Sequence, residues 1–144
     1  MQTVKQEGYR QMKDSKIVVK GIIRRGDEYL LVKKWYDDRI DEPYQWEFID
    51  GYAEIGDSPD DAVNQIVSDK TYLLVQNKRI LYTWSYQVGD TGYVGLAYLC
   101  EVDSDIVILS EELQEYRWVK LEEFPDYITN HAILRDVQRV LGTE

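Results

Sequence analysis

Gly51 and Gly56, followed at once by Ser58, Pro59 and Asp61, are the residues of this sequence whose types and spacing speak most directly of chemistry. Glycine permits backbone geometries that other residues resist. A helix that begins just after a glycine loop offers unpaired backbone N–H groups and the positive end of its dipole, and that combination holds phosphates. Ser58 suits the N-cap, Pro59 the first helical position and Asp61 the N3 position, so the start of such a helix is specified locally.

These residues must be carried by a strand, a loop and a helix in succession. Gln45 to Ile49 reads as the strand, Asp50 to Asp57 as the loop and Ser58 to about Tyr72 as the helix. Within the helix, Ala62, Val63, Ile66 and Val67 recur at helical spacing and form an apolar face to lay against a sheet, leaving Asp60, Asp61, Asn64, Ser68 and Asp69 for the other side.

Strands flank this unit on both sides. Lys16 to Ile23 is rich in β-branched residues, and a turn at Arg25-Gly26-Asp27 leads to EYLLVKKWY, which together predict an antiparallel hairpin. RILYTWSYQV and GYVGLAYLCEV, separated by Gly89-Asp90-Thr91-Gly92, predict a second. Its Trp84, Tyr86, Tyr93 and Tyr98 are read as core or cross-strand packing in preference to ligand stacking. A short strand is expected around Tyr116 to Lys120. Ile128, Ala132, Ile133, Val137 and Val140 mark a second amphipathic helix, with the sole histidine, His131, as helix-end structure at its start. The polar residues 1–15 predict a tail or edge segment, and the acidic stretch from Asp37 to Glu42 an exposed loop beside Tyr44, a candidate for stacking on a base. The element order predicts a single α/β (α+β) domain over residues 16–144, a sandwich with a mixed β-sheet between helices.

Composition bounds the partners. The chain has 144 residues and a net charge of -10, from 27 acidic and 17 basic side chains, so its averaged field repels polyanions and no duplex nucleic acid is expected. A small phosphorylated ligand is not excluded, because glycine amides and a cation act locally. Cys100 has no second cysteine to pair with, there is no signal-peptide pattern, and no run approaches the roughly 18 apolar residues of a membrane span. Cytoplasmic localisation without membrane attachment is the expectation.

The stretch from Gly51 to Leu73 resembles the Nudix box of the Nudix hydrolases. Gly51, five residues, Asp57 and seven residues lead to Gln65-Ile66-Val67-Ser68-Asp69-Lys70-Thr71-Tyr72-Leu73, where the family pattern reads Arg-Glu-apolar-x-Glu-Glu-x-Gly-apolar and has glutamate at the position of Asp57. Trp46, Phe48, Glu54, Gly56 and Trp118-Val119 also look like the family context. The resemblance implies a Nudix-like α/β/α sandwich and a metal-dependent hydrolase of nucleoside diphosphates linked to another group. Three carboxylates at i, i+3, i+4 would then bind magnesium or manganese on one helical face. Here that face presents Ile66, Asp69 and Lys70. Asp69, Glu54 and Asp57 remain as candidate catalytic acids, with Asp69, Glu54 and Glu112 as weak metal ligands. Asp57 with Gln65 stands in for the family's Glu–Arg brace, and Lys70 is positioned to pair with Asp69. The expected activity is therefore weak or unusual, with magnesium or manganese if active and no cofactor otherwise. The alternative is a silent Nudix-fold module that binds a nucleotide or another protein. The aromatic strands are compatible with a homodimer and equally with core packing.

Overall fold

A computed structural model describes residues 14–35 and 45–142 of the chain. The segment of residues 1–13, the acidic loop and Tyr44 lie outside the described residues. Within them the order is β1 (Asp14–Arg25), β2 (Glu28–Lys34), β3 (Trp46–Glu47), β4 (Ile49–Ala53), α1 (Pro59–Thr71), β5 (Gln76–Val88), β6 (Thr91–Glu101), β7 (Leu113–Lys120), a single 3-10 turn (Leu121–Glu123), α2 (Phe124–Tyr127) and α3 (His131–Leu141).

The strands form one mixed sheet in the order β3-β2-β1-β6-β5, with β4 also pairing β1 and β7 also pairing β2. The first hairpin is paired only near its turn, Arg24 opposite Tyr29. Further back β1 exchanges β2 for β4, with Val19 opposite Gly51, while its other edge runs parallel to β6 from Asp14 to Arg24. The second hairpin has the expected partners and closes through Gly89-Asp90, with Gly89 at φ 57°, a conformation glycine adopts without a Cβ penalty. Tyr86 stands opposite Tyr93 in this hairpin, and their rings stack at 4.7 Å, as cross-strand packing requires.

Alternation along β1 serves two cores. Val19 and Ile23 face α1 and pack with its Val63 and Val67, whereas Ile22 faces the opposite layer with Phe124, Ile128, Val137 and Leu141. Burying each valine of α1 stabilises this layer by about 1.5–3 kcal/mol. Gly21 permits the close approach of the helix, since a Cβ there would lie 3.0 Å from Val67 Cγ2. At the start of α3, Asn130 accepts from the N–H groups of Ala132 and Ile133, and His131 is exposed at the first helical position. No helix among the described residues is long and apolar enough to cross a membrane.

Several boundaries differ from the expectations. The strand expected from Lys16 begins at Asp14, β7 begins at Leu113, and α2 is an additional element too short to show a period. The larger difference is at the glycine stretch: Asp50 and Gly51 belong to strand β4, and the loop is confined to Glu54–Ser58.

Candidate functional site

The helix start is built as its residues specify. Ser58 has extended backbone, its side chain accepts from the N–H of Asp61 at 3.5 Å, and Pro59 begins the helix. Ahead of it, Asp57 N–H bonds Glu54 C=O at 3.0 Å, and Gly56 at φ 102° takes the turn in a region that disfavours any side chain. A concavity of about 400 Å³ opens here, lined by Tyr52, Glu54, Asp57, Asp61, Gln65 and Ile66 among others. Glu54, Asp57 and Gln65 are thus brought together at one surface.

Gly51, read from the sequence as a phosphate-loop residue, lies in strand β4 and not in the loop. In β4 its missing Cβ makes room for Ile66, whose Cδ1 would lie 2.8 Å from a methyl group at that position. The apolar Ile66 is therefore seated against the strand, at the position where the resemblance implies a ligating glutamate. Gln65 donates from Nε2 to Asp69 Oδ1 at 2.7 Å, one helical turn away, so its hydrogen bond goes along the helix and not back to Asp57. That spacing places Gln65 and Asp69 side by side, whereas Asp57 precedes the cap.

Lys70 also departs from expectation. Its Nζ donates to the carbonyl oxygen of Asp50 at 2.8 Å and lies 3.7 Å from Glu112 Oε1, and Asp69 is not its partner. Its side chain is only 18% exposed. The loop bearing Glu112 is docked on the C-terminal end of α1: Ile108 N–H bonds Thr71 C=O and Ser110 N–H bonds Lys70 C=O, at 3.1 and 3.0 Å. Ser110 Oγ donates to Glu112 at 3.3 Å. Glu115 faces Lys33 and Arg117 instead.

A cluster that the sequence reading did not single out lies toward the opposite layer. Lys20 is buried, donates to Tyr82 Oη at 3.3 Å and places its ammonium 4.6 Å from the Trp84 ring centroid. Burial lowers its pKa, against the pull of Asp50, Glu47 and Asp136. Beside it, Lys34 Nζ lies 2.8 Å from Glu47 Oε1 and 3.5 Å from Asp50 Oδ1. Burial opposes the charge on Lys34, but Asp50 and Glu47 outweigh it and push the ammonium up to about 12. Glu47 moves up as well, because its own burial exceeds the help it draws from Lys34. The signal in the sequence was a lysine at a core-facing position of a β-branched strand, between Val18 and Ile22.

The donor set does not fit a divalent cation. Such ions take about six or more oxygens, and among the described residues no three His, Cys, Asp or Glu side chains converge. Of the face at positions 66, 69 and 70, only Asp69 carries a carboxylate, and Gln65 occupies one of its oxygens.

The NUDIX domain profile matches residues 14–137. The chain belongs to the NUDIX domain family. Solved structures agree with this Nudix architecture. The MutT protein of Methanosarcina mazei Go1 is 23% identical, with 91% of this chain and 96% of that one covered and a TM-score of 0.75. An Ap4A hydrolase of C. elegans, in a binary complex, is 20% identical over 90% and 99% of the two chains, with a TM-score of 0.67. A Nudix hydrolase of Nitrosomonas europaea reaches a TM-score of 0.76 at 15% identity, over 92% of this chain and 73% of that one. At these identities the likeness establishes the fold shared by the Nudix chains. No curated protein matches in sequence.

Proposed function

We propose that this Nudix chain binds a small nucleotide derivative, a nucleoside diphosphate linked to another group, and that its metal-dependent pyrophosphohydrolysis is weak or lost. The observation that carries this reading is Ile66 packed on Gly51 at the position where the family pattern places a ligating glutamate. An isoleucine supplies neither an oxygen for a hard cation nor a base for water. In family members magnesium or manganese supplies the activation of water; here Asp69 is the carboxylate left on that face, and it is already hydrogen-bonded to Gln65.

Support for ligand binding comes from the frame: the Glu54–Ser58 loop, the capped helix and the concavity beside them. A second reading, a working hydrolase with relocated acids, draws on Glu54 and Asp57 lining that same concavity. Duplex nucleic acid is disfavoured as a partner by the net charge of -10. A cytoplasmic setting accords with Cys100, whose thiol is buried and pushed up to about 12 by that burial, out of the range of a reactive thiolate. A homodimer through the exposed Tyr86 and Val88 of β5 belongs to the same proposal.

Equilibrium dialysis against a panel of nucleoside diphosphate derivatives, in chelator and then in Mn²⁺, tests the reading. Binding that persists in chelator supports it. Absence of binding under both conditions contradicts it and favours a protein-interaction role.

A further inference from the structure

The ammonium of Lys70 is where oxygens from separate segments converge. The Asp50 carbonyl reaches it from β4 and the Glu112 carboxylate from the loop before β7, while Lys70 itself projects from the last turn of α1. The 18% exposure of its side chain and the two backbone bonds from Ile108 and Ser110 to the end of α1 fix the three segments against one another. A convergence of a backbone carbonyl and a carboxylate is the environment a hard cation favours. In the family pattern position 70 contributes a negative charge to such a place, and this chain supplies a positive one.

We propose that Lys70 is a built-in cation: its ammonium bridges β4 to the Glu112 loop, so that this junction is closed without a divalent metal and has no affinity for one. An ammonium donates three hydrogen bonds at ordinary distances, so it replaces the bridging charge but not the Lewis acidity of a metal. The charge sign at position 70 then decides whether the junction needs a metal ion. Lys70→Glu would place a carboxylate with Glu112 and the Asp50 carbonyl around the space the ammonium leaves. This inference rests on the box helix having lost its metal face and is independent of which ligand the protein binds.

The test uses the full chain and Mn²⁺ alone, with no nucleotide, so its failure is separate from failure of the functional proposal. Mn²⁺ binding is followed by electron paramagnetic resonance and thermal melting is recorded with and without the ion. The wild-type protein is expected to leave Mn²⁺ free and to melt at the same temperature in chelator. Lys70→Glu is expected to bind Mn²⁺ and, at a hundredfold excess over its dissociation constant, to melt roughly 5–10 °C higher than without it. Lys70→Met removes the bridge without creating a ligand and is expected to melt lower, insensitive to Mn²⁺. If Lys70→Glu is unfolded without metal, refolding in Mn²⁺ is the readout: recovery supports the proposal and no recovery overturns it. Mn²⁺ binding by the wild type, or a folded Lys70→Glu that ignores Mn²⁺, also overturns it.

Discussion

Ile66 rests on the bare backbone of Gly51, with its Cδ1 2.8 Å from where a methyl group would stand. The two residues are complementary: a side chain at position 51 would displace the helix face, and a polar side chain at 66 would forfeit the apolar contact. Gly51→Ala is expected to destabilise by about 1 kcal/mol, the overpacking cost exceeding the chain-entropy gain of replacing glycine. In an Ile66→Val background the nearest contact is gone while those to Cγ1 and Cγ2, at 3.2 and 3.3 Å, remain, and the same substitution should cost less. Urea melts of the four proteins of this cycle measure the coupling.

The end of α1 holds a strained position. Tyr72 is the helix C-cap at φ 64°, the left-handed region where the family pattern has glycine, and its side chain is exposed. A non-glycine residue there costs about 1 kcal/mol. Tyr72→Gly is expected to recover most of that and to raise the melting temperature by about 3 °C, read by calorimetry. Tyr72→Ala keeps the Cβ and should give no such gain.

Lys34 makes a prediction for alkaline pH. Burial opposes its charge, Asp50 and Glu47 outweigh that, and the folded pKa lies at about 12 against an ordinary 10.5. The folded state holds the proton more tightly than the unfolded one, so the contribution to stability is fully present below about 10.5 and is lost as pH rises through about 12. Chemical denaturation of wild type and Lys34→Met between pH 9 and roughly 12 should show the difference between them shrinking toward the alkaline end. A constant difference would mean that Lys34 acts by packing alone.

Much of this frame was legible because its signals are local. Ser58, Pro59 and Asp61 set the start of α1, and Val63 and Val67 recur on its buried face. The two-residue turn at Gly89-Asp90 likewise joins strands adjacent in sequence. What escaped depends on distant residues. Gly51 reads as a loop residue until Ile66, on another element, explains why a strand should contain it. Lys70 suggested Asp69 as partner because the two are neighbours in sequence, yet its partners are 20 and 42 positions away. That positions 66 and 70 carry no carboxylate, by contrast, is written in residue identities alone, as Ile66 and Lys70.

The proposed loss of metal-dependent chemistry at positions 66, 69 and 70 is read out by turnover. Release of phosphate or of the nucleoside monophosphate from a panel of nucleoside diphosphate derivatives would be followed during a Mg²⁺ or Mn²⁺ titration, for wild type and Asp69→Asn side by side. Loss of a catalytic base or acid commonly lowers rates by about 10²–10⁴, so the wild type is expected to show little or no metal-dependent turnover and Asp69→Asn to change it little. Metal-dependent turnover at ordinary enzymatic rates that disappears in Asp69→Asn would contradict it.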